Sequence, residues 1–201
     1  VTSGLTWSDT VVSGVAVPLV GTISGVIQVT RDDLETSNTS AFTILPRVTS
    51  IDITATGILG DANCSSPPCT GSADARAGDT IRVNGDHFGP YSGAASRVTV
   101  NSGTVFDPGA GGWSDAQITG VAVPVDSLIA DGVAVTRDDS KLSNSHTFRI
   151  LPKVTGITPG SGIVGDEPTV NGTHFCDATV ACPSVFGASD RVLFDATPGD
   201  A

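Results

Sequence analysis

Residues 113–152 read WSDAQITGVAVPVDSLIADGVAVTRDDSKLSNSHTFRILP, and residues 7–46 read WSDTVVSGVAVPLVGTISGVIQVTRDDLETSNTSAFTILP. The two stretches are one text written twice, 106 positions apart. Trp7-Ser8-Asp9 returns as Trp113-Ser114-Asp115, GVAVP at 14–18 returns at 120–124, and VTRDD at 29–33 returns at 135–139. Ser37-Asn38 and Phe42, Ile44, Leu45, Pro46 return as Ser143-Asn144 and Phe148, Ile150, Leu151, Pro152. Extended by two positions, to 7–48 against 113–154, the alignment has 21 identities in 42 positions, so the chain carries an internal repeat. Within it, Val121 and Val123, Val133 and Val135, and Phe148 and Ile150 alternate with polar or small residues. That period of two marks strands with one apolar face.

Working outward, IRVNGDHF at 81–88 resembles PTVNGTHF at 168–175, now at a shift of 87. The change of shift places a loop 19 residues longer in the first copy, and that loop carries Cys64 and Cys69. The second copy has its cysteines, Cys176 and Cys182, just after the His-Phe. Strands are predicted near 48–54, 80–84, 97–101, 116–123, 132–137 and 146–151, with Gly, Pro, Asn and Asp at the turns between them. Strands apolar on one face must pair their sheets face to face, so the expected fold class is all-β, a β-sandwich repeated in tandem.

Composition agrees. The 24 Gly and 12 Pro suit short strands and tight turns, and acidity comes almost wholly from Asp, a turn residue. A formal net charge of −11 repels phosphate backbones and argues against nucleic-acid binding. No apolar run approaches the length of a membrane span. Four cysteines allow three pairings, of which local pairing within each loop is the simplest; zinc is the rival reading. Disulfides would place the chain in an oxidising compartment, extracellular or at the cell surface.

These residues resemble the IPT/TIG family of immunoglobulin-like domains. The resemblance rests on Pro152, Val154, Ile157, Pro159 and Gly162 as the opening strand and turn, and on Gly85 to Phe88 and Gly172 to Phe175 as a G-x-x-F strand end. The W-S-D segment, the V-P, the following Val strand and the S-N…F ending complete it. One departure is at 48–60, which lacks the Pro after its Ile. The resemblance implies tandem immunoglobulin-like sandwiches and a modular habit, as in surface proteins, receptors, accessory domains of starch-processing enzymes and some transcription factors.

By this alignment residues 47–152 form a whole repeat, 1–46 the C-terminal half of one, and 153–201 the N-terminal half of another. Neither half buries a sandwich core by itself. Joined end to start they amount to 95 residues against 106 for the whole. The expectation is completion by a neighbouring copy, head to tail, either between subunits or along a longer repetitive polypeptide. The assembly residues would be Trp7, Val15, Val17, Phe42 and Ile44 on one half. On the other they would be Val154, Ile157, Val170, Phe175, Val192 and Phe194.

Catalytic chemistry is not expected: no nucleophile motif, metalloprotease helix or phosphate loop is present. His87 and His174 hold equivalent places before a Phe and read as strand-end residues with satisfied rings; His146 stands where the other copy has Ser40. Asp32, Asp33, Asp138 and Asp139 follow a strand in both copies, and read as turn caps or as calcium ligands. Trp7 and Trp113 read as covers of the sandwich end or as sugar platforms. Asn38, Asn63 and Asn171 sit in glycosylation sequons. The expected function is a structural subunit of an extracellular filament, stalk or appendage. The alternatives are an adhesin or carbohydrate-binding module using loop 57–77, with glycans as partners, and an accessory domain of a large secreted enzyme.

Overall fold

A computed structural model describes residues 4–18, 24–55, 70, 74–101, 105–125, 128 and 130–176. Fourteen strands are described in chain order. They are β1 (Thr6–Trp7), β2 (Val12–Ser13), β3 (Ser24–Ile27), β4 (Ser40–Thr43), β5 (Arg47–Ala55), β6 (Asp74–Arg76) and β7 (Thr80–Asp86). Then come β8 (Arg97–Val100), β9 (Val105–Phe106), β10 (Gln117–Ala122), β11 (Val133–Thr136), β12 (Arg149–Leu151), β13 (Lys153–Thr158) and β14 (Thr169–Thr173). Among the described residues the only helices are two 3-10 turns, so the protein is all-β.

The core is a two-layer sandwich. One antiparallel sheet has the order β10-β7-β5, and the other β11-β8-β9. Bridges Val133↔His146 and Ala130↔Arg149 attach the segment around β12 to the second sheet, and β12 pairs in parallel with β6. Alternation does the folding. Every second residue of β7 turns inward, Ile81 and Val83 among them, to meet Ile51 and Ile53 of β5 and Val121 of β10. From the facing sheet come Val98, Val100, Val133, Val135 and Phe148, all fully buried. Each such side chain contributes roughly 1.5–3 kcal/mol relative to exposure. Trp113 closes one end, with its ring 6.2 Å from those of Phe88 and Tyr91 and its indole N–H donated to Gly89 O at 3.0 Å.

The buried core cluster lies wholly between Val48 and Ile150. Its predicted strands all form, with shifted ends; that expected at 146–151 is regular only over Arg149–Leu151. β6 and β9 were not predicted. On either side of the sandwich the strands stand in two-stranded pieces: β1-β2, β3-β4 and β13-β14.

Candidate assembly interface

The flanking pieces repeat the sandwich's local geometry without its burial. Hairpin β13-β14 pairs Val154 with Gly172 and Ile157 with Val170; in the sandwich β5-β7 pairs Val48 with Gly85 and Ile51 with Val83. Both strand pairs carry a bulge just after the first of these residue pairs. Gly85 and Gly172 are held to glycine by the same crowding: a Cβ would sit 1.9 Å from Arg47 O or 2.1 Å from Lys153 O, and against the ring of Phe88 or Phe175. The turn after Val29 matches the turn after Val135. Val29 N donates to Ser37 Oγ at 3.0 Å, Val135 N to Ser143 Oγ at 2.9 Å, and each serine hydroxyl donates to the carbonyl of the next Asn at 2.7 Å.

Burial separates the copies. Val121 is sealed while its counterpart Val15 is 65% exposed; Phe148 is sealed while Phe42 is 42% exposed; Ile51 is sealed while Ile157 is 46% exposed. The same contrast holds for Trp113 and Trp7, Val123 and Val17, Val48 and Val154, and Phe88 and Phe175. Val170 is half-buried. Ile44 departs from the expectation: it is already buried, and its carbonyl accepts from Arg137 Nη1 at 2.9 Å, so it belongs to the junction with the sandwich. Val192 and Phe194 lie outside the described residues, as do Cys64, Cys69, Cys182, Asn63 and most of loop 57–77. Cys176 is disulfide-bonded, which removes it as a zinc thiolate.

The Asp pairs close turns. Asp139 receives Arg137 Nε and Nη2 at 2.9 and 2.8 Å and caps Lys141 N–H at 3.2 Å; Asp33 receives Arg31 in the same fork and caps Glu35 N–H at 3.2 Å. The hydrogen bonds from Arg137 and Arg31 hold these carboxyls below the usual range. Guanidinium groups thus occupy the oxygens a calcium ion would need at Asp33 and Asp139, and among the described residues no three acidic, His or Cys side chains cluster as a metal site. Asp32 and Asp138 are the first members of these pairs, and among the described residues the guanidinium groups of Arg31 and Arg137 go to the second members instead.

Arg137 is the side chain sequence reasoning missed. It is fully buried, and its Nη1 donates to Ile44 O and to His87 O, the latter at 3.0 Å. The recurrence of VTRDD was the available signal. The histidines correct a second expectation: among the described residues, Nε2 of buried His87 and both ring nitrogens of His174 have no hydrogen-bond partner. What their position demands is backbone shape, a left-handed residue with φ of 59° at His87 and 56° at His174.

The strips between sandwich and flanks are short. A single residue, Pro152, separates β12 from β13, and its carbonyl accepts from Arg76 Nε at 3.2 Å. Lys153 Nζ donates to Ala77 O at 2.8 Å.

No protein-family model and no curated protein matches the chain. Among solved structures, the γ-CGTase of alkalophilic Bacillus clarkii aligns with 63% of this chain at 16% identity and a TM-score of 0.38. The chain spans 18% of that protein's length.

Proposed function

We propose that this chain is a structural subunit, or one repeating segment, of an extracellular filament, stalk or surface appendage, in which each broken sandwich is completed by the complementary half of a neighbouring copy. One observation carries the reading: the twins of residues sealed in the sandwich, Trp7, Val15, Val17 and Phe42 on one flank and Val154, Ile157 and Phe175 on the other, stand exposed on backbones already paired in the sandwich's register. Exposed apolar side chains set along one face mark a surface for interaction. The occupant is indicated by the chain itself, because the sandwich shows β10 lying along β7 in an antiparallel register. Transposed to the flanks, residues 11–16 lie along 167–171 of another copy.

The resemblance to IPT/TIG modules supports a beaded architecture of this kind, and the one-residue strip at Pro152 favours stiffness between beads. A disulfide at Cys176 suits an oxidising exterior. Trp7 alone would also suit sugar stacking, but its counterpart Trp113 is covered by Phe88 and Tyr91, which favours assembly.

Sedimentation velocity over a dilution series tests the reading. The wild-type chain should grow with concentration in steps of its 20.2 kDa mass, and Val15→Asp, which puts a charge on the exposed face, should hold it at one step. A wild-type chain that stays at a single step at every concentration would contradict the proposal.

A further inference from the structure

Arg31 and Arg137 share one local design. In both, the guanidinium lies on the second Asp of the pair. In both, the turn closes through a backbone bond to the arginine's carbonyl, from Leu34 N or Ser140 N at 3.0 and 2.9 Å, with those residues at φ of 69° and 63°. They differ at the remaining nitrogen. Nη1 of Arg137 is spent on the carbonyls of Ile44 and His87, and no part of the side chain meets solvent. Nη1 of Arg31 makes no hydrogen bond among the described residues, and its side chain is 68% exposed.

The two acceptors have counterparts in the other copy. Ile44 corresponds to Ile150 and His87 to His174, and both lie on the side of the chain that presents hairpin β13-β14. His174 already holds the left-handed backbone that turns the His87 carbonyl toward Arg137. A second pair tells the same story. Asn144 Oδ1 accepts from Val48 N at 2.9 Å and its Nδ2 donates to Val48 O at 3.1 Å. Asn38 sits in the matching turn with no side-chain hydrogen bond among the described residues, while Val154, the counterpart of Val48, stands exposed.

We infer that Arg31 is the register lock of the interface: its Nη1 donates to the backbone carbonyls of Ile150 and His174 of the neighbouring copy, while Asn38 brackets the backbone N–H and carbonyl of Val154 there. This rests on the assembly reading above and adds to it the residues that choose the register. Apolar strands can slip by two residues and still bury an apolar face. A guanidinium entering a closed sandwich cannot, because in any other register it is buried with unsatisfied N–H groups. The lock also sets direction, since the donor precedes the sandwich in the chain while the acceptors lie at its last strand and in the flank beyond it.

The test is sedimentation velocity on the whole chain, comparing wild type, Arg31→Met, His174→Val and the double variant. Valine resists the positive φ that aims the carbonyl. Each single variant should weaken association at least about tenfold, the cost of leaving buried carbonyls or N–H groups unpaired. The double variant should lose little more than the worse single one, since both remove the same contact. Arg31→Lys should not restore wild-type affinity, because one ammonium cannot hold Asp33 in a fork and reach two carbonyls. If wild type associates and Arg31→Met associates as well, or the two losses add, the lock is wrong and the assembly stands. If wild type does not associate, both fall.

Discussion

Arg137 donates from Nη1 to the carbonyl of Ile44 at 2.9 Å, across 93 positions of chain. The bond joins the sandwich to the residue that follows β4, and it does so from the most voluminous fully buried side chain described. Removing the donor strands two carbonyls and the Asp139 carboxylate. Arg137→Met should therefore lower the stability of the sandwich by about 3 kcal/mol, read as a shift of the urea midpoint at unchanged slope. Arg31→Met, at the matching exposed position, should leave that midpoint where it is.

Phe148 and Phe42 should answer in opposite assays. Phe148→Ala opens a cavity in a closed core and should cost about 3–5 kcal/mol of unfolding free energy. Phe42→Ala removes a ring that meets solvent, so the melt of the unassembled chain should not move, while the sedimentation dilution series should shift toward the single chain. A Phe42→Ala variant that assembles like wild type would show that β4 is not part of the buried face.

Gly85 sits where a Cβ would meet Arg47 O at 1.9 Å and the Phe88 ring at 2.4 Å. Gly85→Ala must push β5 away from β7 or expel the ring, and should cost about 2 kcal/mol or more in thermal or urea unfolding. Gly172→Ala should leave the sandwich intact and impair assembly, because the same crowding shapes the β13-β14 hairpin.

Acid should weaken the sandwich through Asp139. Its folded-state value is depressed, first by the hydrogen bonds from Arg137. A depressed carboxyl contributes stability that is present above the unfolded value of about 3.9 and disappears as pH falls through the folded value. The urea midpoint should hold steady from neutral pH down to about 5, then fall below about 4. In Asp139→Asn the part of that fall due to this carboxyl should be missing.

The strands that carry the core were legible because their burial alternates: Ile81 and Val83, Val98 and Val100, Val133 and Val135 announce an inner face by period alone. β6 and β9 were not, because three residues reading Asp-Ala-Arg and two reading Val-Phe are too short to show a period, and β6 is recruited by parallel pairing with a distant β12. Of the interface, the apolar positions could be read from the repeat, since each exposed residue has a buried twin. The recurrence of VTRDD marked Arg137 as a repeated residue but not as a buried one, because arginine in a turn motif next to two aspartates looks like a solvated surface. Its burial depends on two carbonyl acceptors contributed by segments 93 and 50 residues away. Ile44 was misplaced for a related reason: periodicity marks an inward residue without saying which neighbour already covers it.

The most direct measurement is a disulfide trap across the proposed seam. In the sandwich Ile118 faces Val83 across the β10-β7 pair, and the corresponding positions on the flanks are Val12 and Val170. Directly opposed antiparallel residues lie about 4.5–5.5 Å apart at Cα, within disulfide reach. Under mild oxidation a Val12→Cys, Val170→Cys chain should give a non-reducing gel ladder in multiples of 20.2 kDa that collapses to one band on reduction, and neither single variant should give a ladder. A double variant that runs only as the single chain, at concentrations where the wild type sediments as larger species, would contradict the completed-sandwich account.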